Sequence, residues 1–202
     1  PCPRKGSARA DGAYGQYIFV IPDKDMVVVV TQSSTFDGSR EHRLLWNLLV
    51  PEVRDSVLPV DRAAYRRLVS SSQRQLPFSE GSGGINAGLL NHTWTLLPNR
   101  LHWKSLSLVG HNGRYTLRVT DEEGLVTRIA LGYRRWTTTA TAAFPAYPIW
   151  PKGVFTGIKR RFLVSASYGS TADGLNVSLH YVNWITPVEL AFKPLAGGVS
   201  IT

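Results

Sequence analysis

The chain has 202 residues, 43% hydrophobic and 18% charged, with a formal net charge of +9. That is enough for one large domain or two small ones, and the composition is neither disordered nor collagenous. No apolar run approaches the roughly 20 residues of a membrane helix, so no membrane span is expected. The one cysteine, Cys2, excludes an internal disulfide framework and a multi-cysteine zinc site.

Charge is uneven along the chain. Residues 1–88 hold 11 basic and 9 acidic groups, net +2; residues 89–202 hold 12 and 5, net +7. A basic domain attracts nucleic acid or anionic surfaces. The densest clusters, Arg134-Arg135 and Lys159-Arg160-Arg161, fall inside strand-like segments. With no RNA-binding aromatic signature and no helix-turn-helix pattern, they read as solvated strand faces, and no nucleic-acid partner is expected. The start, Pro1-Cys2-Pro3-Arg4-Lys5, has no apolar signal core, which suggests a processed product or a piece of a longer protein.

Residues 1–12 are small and polar and read as a tail. Tyr14 to Ile21 is rich in aromatic and β-branched residues and predicts a strand. Pro22-Asp23-Lys24-Asp25 is a tight turn. Met26 to Thr31 predicts a second strand, antiparallel to the first, and its unbroken apolar run to Val30 suggests burial on both faces. Asp37 or Ser39 can cap a helix over Arg40 to Leu49, with Leu44, Leu45, Leu48 and Leu49 at helical spacing and Pro51 ending it. A second helix is expected over Asp61 to Gln73. Residues 77–88 are rich in Gly and Ser and read as a linker.

Beyond it the sequence reads as strands: Leu89–Leu96, Ser105–Val109, Arg114–Thr120, Val126–Gly132, Arg135–Thr139, Gly153–Ser167, Leu175–Trp184 and Pro187–Lys193. His111-Asn112-Gly113 is the strongest hairpin signal in the chain. The fold class is therefore α+β: a hairpin with helices over 1–76, a linker over 77–88, and an all-β barrel or sandwich over 89–202.

Chemical motifs are sparse. The glycines at 81–88 lack the Gly-Lys-Ser/Thr of a phosphate loop, and there is no Gly-x-Ser-x-Gly elbow and no Ser-x-x-Lys. None of His42, His92, His102, His111 and His180 has a histidine or carboxylate at metal-ligand spacing. Tyr181-Val182-Asn183 matches the Tyr-x-Asn of penicillin-recognising enzymes in letters only; it comes too late in the chain and reads as a surface or rim pair. Trp94, Trp103, Trp136, Trp150 and Trp184 concentrate in the second half, as core filling or a ligand platform. No catalytic, cofactor-binding or metal-ligating residue is assigned, and no cofactor is implied.

One stretch carries a family resemblance. Gly12-Ala13-Tyr14-Gly15-Gln16-Tyr17-Ile18-Phe19-Val20-Ile21-Pro22-Asp23, followed by Val27 to Val30 and the Leu-rich segment Arg40 to Leu49, resembles the end of a serine β-lactamase-like hydrolase domain. That family includes class C β-lactamases, penicillin-binding proteins, esterases and amide hydrolases acting on nylon oligomers. Its strand, Pro-Asp turn, Val run and terminal helix recur here in order. Asn99, Ser105-Leu106-Ser107-Leu108, Gly132-Tyr133-Arg134-Arg135-Trp136 and Arg160 to Tyr168 are similar, more diffusely, to a β-rich domain appended to some of these hydrolases.

The resemblance implies acyl transfer to and from an activated serine, with hydrolysis of an amide or ester. It places the family's Ser-x-x-Lys and Tyr-x-Asn upstream of this chain, and Ser7-Ala8-Arg9 does not match the third element, Lys/His-x-Gly. No catalytic residue carries over, and the chain is expected to be inactive alone. The Val run also asks for sheet neighbours and for helices on both faces, which residues 1–88 cannot supply. Leaving it half covered forfeits on the order of several kcal/mol. The expected partner is the missing hydrolase portion or a second copy of the chain. The alternative is a non-catalytic β-domain that binds an apolar or anionic ligand or a protein.

Overall fold

A computed structural model describes residues 4–32, 38–143, 161–182, 184 and 187–202. The chain is mostly β and forms two compact units, 1–75 and 76–202.

The first unit is built on a three-stranded antiparallel sheet in the order β1 (Ala8–Gly12), β2 (Gln16–Ile21), β3 (Met26–Val30). Tyr14 and Gly15 both take positive φ, as a tight hairpin turn requires. Pro22–Lys24 forms a single 3₁₀ turn closed by Asp25 in the left-handed region. Helix α1 (Ser39–Leu44) runs on as a π-helical turn, Leu45–Leu49, and ends in a 3₁₀ turn, Val50–Glu52, that contains Pro51. Phe19 and Ile21 from one sheet face close a small core with Leu45 and Trp46. Helix α2 (Arg62–Ser72) is capped by the Asp61 carboxylate, which accepts from the Ala63 and Ala64 amides, and it buries no residue.

Four expectations change here. The polar start is not all tail, because Ala8–Gly12 pairs with Gln16–Val20 of β2. Asp37 lies outside the described residues, and Ser39 is the first helical residue rather than the cap. In the terminal helix Leu45 and Trp46 are buried while Leu44, Leu48 and Leu49 are exposed; the π-helical turn shifts the spacing that a regular helix would give. Finally, Met26–Val30 is not buried on both faces. It is an edge strand, and Val27 and Val29 are 61% and 62% exposed.

The second unit is one strongly curled sheet. Its order is β12 (Gly198–Ile201), β11 (Val188–Leu195), β10 (Gly174–Tyr181), β9 (Phe162–Thr171), β7 (Val126–Tyr133), β6 (Arg114–Asp121), β5 (Trp103–His111), β4 (Thr93–Thr95). These eight strands make a nearly closed, barrel-like sheet. β8 (Thr137–Thr141) pairs with the first half of β9, while Gly132 and Tyr133 of β7 run parallel to its second half. Alternate residues fill the interior: Leu106 and Leu108, Leu117 and Val119, Ile129 and Leu131, and Leu175, Val177 and Leu179. Asn112 and Gly113 both take positive φ in the β5–β6 turn, which the Asn-Gly signal predicts. β12 has no counterpart among the expected strands, and residues 153–160 of the expected strand before Ser167 lie outside the described residues.

Residues 77–88, which composition reads as a linker, lie along the barrel wall. Ser82 and Ser170 exchange both backbone hydrogen bonds, at 2.8 and 2.9 Å. Ile85 and Leu89 enter the core. A Cβ at Gly169 would collide with the Glu80 carbonyl, so glycine is what lets the two backbones approach.

Candidate functional site

Three features of the described residues have chemistry beyond packing. The first is the outer face of the β1–β3 sheet. Ala8 pairs with Val20 and Ala10 with Ile18; Ile18 pairs with Val29 and Val20 with Val27. All six point to the same side and all six are exposed. Ile18 and Val20 are 46% and 38% exposed. The strand residues of this face carry no charge, and Gln16 at its margin is their one hydrogen-bonding side chain, unlike the solvated face of an ordinary antiparallel sheet. On the opposite face Arg9 grips Asp11 through two contacts of 2.6 and 2.8 Å and meets His42 Nε2 at 3.0 Å. His42 packs its ring against Tyr17 and Phe19. Its role is to seat α1 on the sheet.

The second feature is a hydroxyl cluster on the outside of the barrel. Ser79 Oγ lies 3.1 Å from Ser167 Oγ and 2.9 Å from Ser178 Oγ. The Ser178 hydroxyl donates to Glu189 Oε2 at 2.5 Å, and His180 Nε2 stands 3.8 Å from Glu189 Oε1. The His180 ring sits edge-on to Trp136, whose indole donates to the Leu76 carbonyl and whose ring neighbours Phe78. A serine nucleophile needs a base on its own hydroxyl. Here the carboxylate holds the serine and the hydroxyls bond one another, so the cluster fastens residues 76–79 to β9, β10 and Trp136.

The third feature is a cleft of about 720 Å³ where the β4–β5 connection meets β11 and β12. These elements border the two free edges of the sheet, which curl toward each other until Trp94 of β4 reaches Phe192 of β11. Asn99 shapes one wall. Its amide donates to the Leu97 and Trp103 carbonyls at 2.9 and 2.7 Å, and its oxygen accepts from the Leu101 and Trp103 amides. Those bonds hold the turn with His102 at positive φ. Leu101, Trp103, Val188 and Ile201 supply apolar lining, and Arg100 and Glu189 the charges. A volume in this range suits a small organic ligand.

The other residues singled out from sequence are dispersed. His102 meets Glu122 at 3.1 Å, His92 neighbours Trp94, and His111 closes the end of β5. Among the described residues no group of three His, Cys, Asp or Glu could hold a metal ion. Trp150 and Asn183 lie outside the described residues. Tyr181 is not a rim residue: it is buried in the barrel, and burial pushes its phenol up to about 12. Burial also raises Tyr168, with Tyr115 and Tyr133 adding to the shift, which keeps the Tyr168 hydroxyl a donor to the Gly83 carbonyl at 2.8 Å. No helix among the described residues is long and apolar enough to cross a membrane.

Sequence reasoning missed the cleft and the hydroxyl cluster. Both are assembled from segments about 80 to 100 residues apart, and no local pattern announces them. No family model, no curated protein and no solved structure matches the chain.

Proposed function

We propose that this chain is the C-terminal portion of a serine hydrolase of the β-lactamase/penicillin-binding class, which cleaves an amide or ester through an acyl-enzyme. In this reading β1–β3 and α1 finish the sheet and one helical layer of the catalytic domain. The nucleophilic serine and its lysine belong to the polypeptide that covers the other face, and the barrel is an appended domain.

The observation that carries the proposal is the bare sheet face. Ile18, Val20, Val27 and Val29 expose on the order of 300 Å² of apolar surface, worth about 7 kcal/mol at roughly 25 cal/mol per Å² once covered. Contiguous apolar surface of that order marks an interaction site. A sheet with one helix-covered face and one bare, uncharged face is what a three-layer arrangement would present with one layer absent, and the resemblance over Gly12 to Leu49 supports reading that arrangement as the hydrolase domain.

Labelling with a fluorophosphonate tests it. The protein isolated from its source through an antibody against the barrel should react at a serine of a Ser-x-x-Lys, and the 202-residue chain alone should stay unlabelled. Labelling of a serine within this chain would refute the proposal.

A further inference from the structure

The cleft beside Asn99 belongs to the barrel and is independent of the hydrolase reading. Its floor is apolar, from Leu101, Trp103, Val188 and Ile201, and Leu97 at its mouth is 86% exposed. The two charged side chains on its wall, Arg100 and Glu189, are not equivalent. Glu189 is already engaged by Ser178 and His180. Arg100 meets no acidic side chain within ion-pair distance among the described residues. The surrounding unit is strongly basic, with 12 basic and 5 acidic groups over residues 89–202. A carboxylate would therefore find an unengaged guanidinium at the wall, while the Glu189 carboxylate is held by Ser178 and His180.

We propose that this cleft binds one small amphipathic anion, an alkyl or aryl carboxylate, with its apolar body against Trp103 and Ile201 and its carboxylate on Arg100. Arginine suits the task because its planar fork grips a carboxylate through two parallel bonds. The Asn99 hydrogen bonds fix the wall from which Arg100 projects, so the site is formed before the ligand arrives.

Calorimetric titration of the full chain with sodium dodecanoate, below its micelle concentration, tests this. The prediction is saturable 1:1 binding that quenches Trp103 fluorescence, assigned by its loss in Trp103→Phe. Arg100→Gln should weaken binding about tenfold, and dodecan-1-ol should bind at least as weakly to the unaltered chain. Leu97→Asp, which puts a negative charge at the mouth of the cleft, should weaken binding further. Leu97 and Arg100 are exposed, and circular dichroism of their variants should be unchanged. Three results overturn the proposal. One is no saturable binding. Another is equal binding in Arg100→Gln, which would mean adsorption to apolar surface such as the β1–β3 face. The third is a dimer in sedimentation that Leu97→Asp dissociates, which would make the cleft an interface between copies.

Discussion

Exchanging Val27 and Val29 for threonine separates a bare sheet face from a covered one. Threonine keeps the shape and the strand preference of valine and adds only a hydroxyl. In this chain both positions are about 60% exposed, so the hydroxyls stay hydrated and the double variant should lie within about 0.5 kcal/mol of the parent. Where the face is covered, the balance changes. Val29 alone presents about 100 Å², worth about 2.5 kcal/mol of burial at roughly 25 cal/mol per Å². Each buried, unpartnered hydroxyl would cost about 1–3 kcal/mol. Hydrogen exchange on peptides spanning 16–30 reads the local opening energy directly. The chain alone should show no change, and the protein from its source should lose about 2–6 kcal/mol for the pair. Phe19→Ala is the control: it empties the buried side of the same sheet and should cost about 3–5 kcal/mol in both. A loss above about 2 kcal/mol in the isolated chain from the threonine pair would refute the reasoning, because the face would then already be covered.

Further outcomes are expected in the barrel. Asn99→Ala removes four hydrogen bonds from one turn and should cost about 2–3 kcal/mol in urea unfolding, with loss of dodecanoate binding. Tyr181 titrates near 12 in the folded chain and near 10 unfolded. Its stabilising effect is therefore complete below pH 10 and lost between about pH 10 and 12, by roughly 2–3 kcal/mol. Urea midpoints of Tyr181→Phe should fall less over that window than those of the parent. Gly169→Ala drives a methyl into the Glu80 carbonyl and should release residues 79–83, seen as fast amide exchange at Ser82 and Ser170, at a cost of about 1–3 kcal/mol.

The strands of the barrel were legible because their alternation is local: Tyr115-Thr116-Leu117-Arg118-Val119 sends Leu117 and Val119 inward and Arg118 outward. The Asn112-Gly113 turn was legible because few residues accept two consecutive positive φ angles. β1 was hidden because Ala-Arg-Ala-Asp-Gly contains no strand former; the neighbouring β2 imposes the conformation. Residues 77–88 look like a flexible segment because glycine is ambiguous. The same residue serves a loose chain and a close backbone approach, and at Gly169 and Gly81 the second holds. The cleft was illegible for a different reason. Its walls come from residues 95–103 and from 187–202, and neither stretch alone has a binding pattern. The Val run misled only about its surroundings. Val28 and Val30 do pack against the first unit's core, whereas Val27 and Val29 face outward with nothing over them.

That outward face is the centre of the account, and the most direct test is to sequence, by mass spectrometry, the protein from its natural source that contains residues 12–50. The account predicts peptides continuous with and upstream of Pro1, among them a Ser-x-x-Lys. A mature protein that begins at Pro1 and sediments as a monomer, with Val27 and Val29 open to solvent, would contradict it.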